Sequence, residues 1–87
     1  MKTRYQFVHF EKIGGMDTKY IWSCRNNRSG DELGQVQWYN AWRQYCFEPS
    51  GPSVYSAGCL DDISHFIGQL QQERKIAAGT PAGQGER

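Results

Sequence analysis

The sequence predicts a two-layer α+β fold: a four-stranded antiparallel meander with one C-terminal amphipathic helix packed on one face. Three observations carry that prediction. Up to residue 48, apolar and polar residues largely alternate, the period of strands with one buried face. Past residue 56, the apolar spacing changes to that of a helix. Between the two, Pro49-Ser50-Gly51-Pro52 ends the sheet, since proline lacks the N–H that a ladder needs.

Residues 5–13 read as the first strand, with its buried face left open: Tyr5 and Phe7 point one way, Val8 and Phe10 the other. Gly14-Gly15-Met16-Asp17 punctuates it as a loop. A second strand covers about 19–26, with Tyr20, Trp22 and Cys24 on the better core face and Lys19, Ile21, Ser23 and Arg25 opposite. Asn26 to Asp31 is a polar turn. Strands at about 33–39 and 42–48 then form a hairpin. A two-residue turn at Asn40-Ala41, where Asn tolerates positive φ, pairs Tyr39 with Trp42, Trp38 with Arg43 and Gln37 with Gln44. One face collects Val36, Trp38, Tyr45 and Phe47. The other collects Gln35, Gln37, Gln44 and Cys46, with Tyr39 and Trp42 at the tip. Slipping either strand by one residue would mix the two sets.

From residue 56 to about 77, Leu60, Ile63, Phe66, Ile67 and Leu70 form one helical stripe. Ser56 is the expected N-cap, Asp61 and Asp62 lie near the positive end of the dipole, and Arg74 and Lys75 near the negative end. Gly79 and Pro81 mark the stop. Residues 1–77 are expected to form a single domain and 78–87 a disordered tail.

Composition narrows the function. The 87 residues include ten basic and nine acidic side chains, a net charge of +1, so bulk charge suggests neither duplex DNA nor an anionic membrane as partner. Ten of the twelve aromatic residues lie between Tyr5 and Phe47, which places most of the core there. There is no signal-peptide pattern and no apolar run near the roughly 18 residues that span a bilayer. A soluble protein that stays where it is made is expected. Cys24, Cys46 and Cys59 are odd in number and widely spaced, which fits a reducing cytosol without disulfides.

No motif for chemistry emerges. Cys24, Cys46, Cys59, His9 and His65 lack the close spacing of zinc-ligand pairs. Cys59 is the best nucleophile candidate, because the first helical turn lowers a thiol pKa. His65 lies six residues on, about 120° away around the helix and more than a turn along it, so the two cannot meet. Asp61 and Asp62 read as complements to the dipole. The expectation is a protein without enzymatic activity, cofactor or metal.

Binding is the alternative to chemistry. Tyr39, Trp42, Arg43, Gln37 and Gln44 make a candidate protein-binding surface, aromatic anchors with amides around them. The same aromatic pair could instead only brace the hairpin, by about 0.2–1 kcal/mol. A second reading is a single-stranded nucleic-acid binder using Lys19, Arg25, Tyr39 and Trp42 on the open sheet face, although the RNP-type aromatic motif is absent. A third is a homodimer, formed through the polar face or an exposed edge strand.

The segment Leu33 to Phe47, followed by Cys59-Leu60-Asp61-Asp62-Ile63, resembles small uncharacterised proteins of bacteriophages and other mobile elements. In those a W-Y-x-x-W-R-Q-Y-C-F core follows a W-x-C strand, here Trp22-Ser23-Cys24, and precedes a C-L-x-D-I helix start. The likeness covers roughly residues 20–70. It implies an accessory role in phage–host or element–host conflict, in the host cytoplasm, by binding and blocking a host or element protein. It carries over no catalytic residues.

Overall fold

The computed structural model describes residues 1–16 and 19–77. Its elements are β1 (Val8–Met16), β2 (Lys19–Asn26), β3 (Glu32–Tyr39), β4 (Gln44–Pro49) and α1 (Ala57–Ala77). The strands form one antiparallel sheet in the order β1-β2-β3-β4, with α1 packed against it. The expected α+β meander is thus present. The expected tail at 78–87, with Gly79 and Pro81, lies outside the described residues.

The first strand starts later than its sequence pattern suggests. The chain folds back on β1, with the Tyr5 N–H donating to the Val8 carbonyl and the Phe10 N–H to the Thr3 carbonyl, each at 2.8 Å. That turn resolves the ambiguous faces. Val8 and Phe10 point into the core from the strand, Tyr5 enters it from the returning segment, and Phe7 is left 43% exposed. The strand also runs through Gly14-Gly15, expected as a loop, until Met16 pairs with Lys19. A bulge between Lys12 and Gly14 leaves Ile13 unpaired. Gly15 sits at φ 106°, and a Cβ there would strike the backbone of Lys19 and Tyr20.

The hairpin register also differs. Tyr39 pairs with Gln44, Trp38 with Tyr45 and Val36 with Phe47, two residues along from the expected pairing. A two-residue type I′ turn would need positive φ at both Asn40 and Ala41. The four-residue connection Asn40–Arg43 confines positive φ to Arg43, at 53°. Because side chains alternate with period two, a shift of two leaves each face intact. Val36 and Tyr45 are buried, with Trp38 and Phe47 packed beside them.

Ser56 caps α1 as expected, its Oγ accepting the Cys59 N–H at 3.1 Å. Ile63, Phe66 and Leu70 face the sheet, and Ile67 packs beside them. Leu60 does not join this stripe; it is 51% exposed and Cys59 is buried in its place. Asp61 and Asp62 fall beyond the first turn, which holds no acidic residue. Phe66 is fully buried, stacked on Phe10 at 3.9 Å and meeting Trp22 edge-on at 5.1 Å.

Gly68 is a helix-interior glycine with nothing within 4 Å of where a Cβ would sit. Gly68→Ala is therefore expected to stabilise the protein by about 0.5–1 kcal/mol, visible as a higher denaturant midpoint at unchanged slope.

Side-chain amides of α1 tie down both margins of the fold. Gln69 accepts the Lys2 N–H at 2.9 Å and donates to the Lys2 carbonyl at 2.7 Å. The Tyr5 hydroxyl and His65 Nδ1 lie 2.8 Å apart beside it. At the other margin, Gln71 Oε1 accepts the Tyr45 N–H of β4 at 2.8 Å.

Candidate binding surface at the hairpin tip

The β3–β4 connection builds a projecting aromatic pair. The Trp42 N–H donates to the Tyr39 carbonyl and the Arg43 N–H to the Asn40 carbonyl, both at 3.2 Å, which fixes the loop. The rings of Tyr39 and Trp42 then meet edge-to-face at 5.0 Å and 82°. Trp42 is 67% exposed and Tyr39 40%. Arg43 and Gln44 are exposed beside them. Gln37, one step down the strand on the Tyr39 face, donates to Glu48 Oε1 at 2.7 Å. The five residues proposed for protein binding thus share one hairpin, with Gln37 partly committed to an internal bond.

The four residues of the nucleic-acid reading are not brought together. Arg25 lies at the opposite end of the sheet, where its Nη1–H donates to the Gly30 carbonyl at 2.9 Å. Its Nε is shielded from water and has no hydrogen-bond partner, although Glu11 Oε1 is 3.4 Å away. Arg25 pairs with Glu32, seven residues along β3 from Tyr39, or about 23 Å. Lys19 turns toward the helix-side ring of Trp38, its Nζ 5.3 Å from the centroid. Sequence reading missed two further cations here. Lys12 Nζ lies 3.9 Å over Tyr20, and the Arg74 guanidinium 4.0 Å over Trp38. Strand parity puts Lys12 on the same face as Trp22 and so could have flagged it; nothing local ties Arg74 to Trp38.

The outer sheet face is less open than alternation implies. Ser23 is fully buried there and donates to Glu32 Oε2 at 2.7 Å. Ser50 donates to Glu32 Oε1 at 3.2 Å. The position of Glu32 follows from the register shift between Cys24 and Arg25, which leaves Leu33 unpaired and turns Glu32 toward Ser23. Chiefly through the Ser23 hydroxyl, and against a partial burial that opposes it, the Glu32 carboxyl is held below the usual glutamate value; Gln35, Ser50 and Arg25 add to the effect. A depressed folded pKa contributes stability that is present above the unfolded value of about 4.5 and lost as pH falls through the folded one. Glu32→Gln is expected to be less stable than the wild type near neutrality, with the gap closing on acidification below about pH 4.5. Denaturant titrations at several pH values would measure it, and a pH-independent gap would refute the assignment.

Burial pushes the Cys59 thiol up, with Asp62 adding to the shift, so the expected lowering by the helix dipole is overruled. Burial likewise pushes Cys24 up to about 12, helped by Cys59, Asp62 and Glu32. His9 Nδ1 lies 2.7 Å from Asn27 Oδ1 and its Nε2 3.1 Å from Glu11 Oε2. Among the described residues no three His, Cys, Asp or Glu side chains gather as a metal site. No helix among them is long and apolar enough to cross a membrane.

No family model matches this chain, and no solved structure does either. Over 71 residues, however, it is 36% identical to an uncharacterised 9.3 kDa protein of Acholeplasma phage L2, covering 80% of this chain and 91% of that one. The chain belongs to the family of that phage protein. Phage origin, anticipated from the resemblance at residues 20–70, thus rests on similarity over most of the chain. Within the phage L2 family, this chain folds as a small sheet-and-helix scaffold with a projecting aromatic hairpin.

Proposed function

We propose that this member of the phage L2 family is a non-enzymatic accessory protein that binds another protein, of host or phage origin, through its β3–β4 hairpin tip. The observation that carries this reading is the exposure of Trp42, 67%, on a loop fixed by its own backbone hydrogen bonds. An indole held out in water and braced by Tyr39 loses little conformational freedom on binding and offers a large apolar area to a recess on a partner. Arg43 and Gln44 beside it supply donors for the polar rim.

The test is affinity capture from a lysate of the bacterial host, with nuclease present, comparing the wild type with Trp42→Ala. Because Trp42 is mostly exposed, its removal is expected to cost less than about 1 kcal/mol of stability. A dominant protein captured by the wild type and lost with Trp42→Ala supports the reading. Equal capture by both folded proteins removes the tip from the interface, and a doubled mass in size exclusion without any partner replaces the reading with a homodimer.

A further inference from the structure

We infer that the partner of the hairpin tip docks through a carboxylate-rich protein surface. The inference rests on the reading of the tip as a protein-binding element, and it comes from the charges that the fold gathers around the tip.

Three stretches remote in sequence meet at this end of the molecule. β1 and β2 close at the Met16–Lys19 pair, and β3 and β4 at the Tyr39–Gln44 pair. The last turn of α1 arrives at the same place, since Arg74 stacks on Trp38. Among the described residues, the stretches 12–16, 19–20, 38–45 and 70–77 carry Lys12, Lys19, Arg43, Arg74 and Lys75 against Glu73. Five of the nine described cations and only one of the seven described acids therefore belong to this end, leaving four cations and six acids elsewhere among the described residues. The small net charge conceals, among the described residues, an end of +4 and a remainder of −2.

The arrangement of rings favours a protein over a nucleic-acid strand. Binding of single strands needs open aromatic faces on which bases stack in succession. Here Lys12 lies 3.9 Å over Tyr20, while Arg74 and Lys19 lie 4.0 and 5.3 Å from the Trp38 ring. Tyr39 and Trp42 meet at 82°, so they present no continuous platform. A guanidinium or ammonium on a ring still has N–H groups directed outward, and these suit carboxylates. One protruding indole at a cation-rich end of the molecule, with Arg43 next to it and Lys12, Lys19 and Arg74 on nearby rings, matches an acidic surface with an apolar recess.

The probe is fluorescein-labelled poly-L-glutamate, titrated by anisotropy with the full chain at about 50 mM and about 250 mM salt. A labelled dT oligomer of about 20 nucleotides is titrated in parallel. The expected result is binding of poly-L-glutamate at low salt, weakened about tenfold or more at high salt. The exposed pair R43E/K75E is expected to weaken it about tenfold, whereas K2E/R28E, an equal charge change at the other end, should not. Circular dichroism melts confirm that each variant is folded. No binding at low salt, or equal loss with both double variants, overturns the inference. Tighter binding of the dT oligomer overturns it in favour of nucleic acid. If a partner captured through Trp42 is retained by R43E/K75E, the tip stands as the binding element and the acidic character of its partner falls.

Discussion

Phe66→Ala is expected to remove about 3–5 kcal/mol of stability, the largest loss from any single change considered. Phe66 has no exposed surface and is the point where helix and sheet interlock: its ring lies parallel to Phe10 of β1 at 3.9 Å and meets Trp22 of β2 edge-on at 5.1 Å. Truncation removes the apolar transfer energy and opens a hole between two rigid rings that cannot collapse into it. A protein of this size has a total stability of roughly 4–13 kcal/mol, so the loss is a large fraction of the total. Phe66→Leu, which conserves most of the volume, is expected to cost less than half as much. Urea denaturation of the three proteins would decide it, and near-equal stabilities would mean that α1 is held by other contacts.

Gly34→Ala comes second, at about 1–3 kcal/mol. Gly34 lies between Cys24 of β2 and Pro49 of β4 on the inner face, and the Phe47 ring folds directly over it. A methyl group there would meet both that ring and the Glu48 carbonyl oxygen. The ring can swing away, but the carbonyl belongs to the paired strand and moves only with the ladder. Phe47 also stacks edge-on with Tyr55 at 5.6 Å, so displacing it loosens the segment that leads into α1. Gly14→Ala is the matched control, since nothing lies within 4 Å of a Cβ there. A large loss at Gly34 beside a small one at Gly14 would separate the close approach from the general effect of adding a side chain in a strand.

Much of the fold was legible in the sequence because alternation is a strong signal. The second strand was placed at its observed bounds, Lys19–Asn26, and the two faces of the aromatic hairpin were assigned correctly. The hairpin's register was misjudged by two residues for a physical reason. Face patterning repeats every second residue, so it cannot distinguish a two-residue turn from a four-residue one. The choice depends on which residue accepts positive φ, and Arg43 has no composition cue for it. The burial of Tyr5, whose face the strand pattern leaves open, and of Cys59, which lies outside the expected helical stripe, has a similar origin. Tyr5 reaches the core by a chain reversal, and Cys59 by the angle at which α1 meets the sheet; neither is encoded locally.

The candidate surface was legible only in part. Tyr39 and Trp42 stood out as aromatics at a hairpin end, and their rings do meet. The cations at this end were invisible, because Lys12, Lys19 and Arg74 become neighbours of Trp22 and Trp38 only when three distant stretches converge. Arg25 looked free on the outer face, yet Gly30 and Glu11 engage it. Alternation identifies a face but not what its charged groups find there.

The treatment of the sheet's two margins has a consequence for behaviour in a crowded cell. Along β1, Thr3 and Tyr5 occupy the outward hydrogen-bonding groups of Phe10 and Val8, and a bulge twists the remainder. Along β4, Gln71 takes up the Tyr45 N–H, and Pro49, which alternation turns to the same side, has none to offer. Neither margin offers a long, flat row of donors and acceptors on which another chain could lay a strand. Among the described residues the sheet edges leave little template for cross-β growth, so the protein is expected to resist seeding into fibrils.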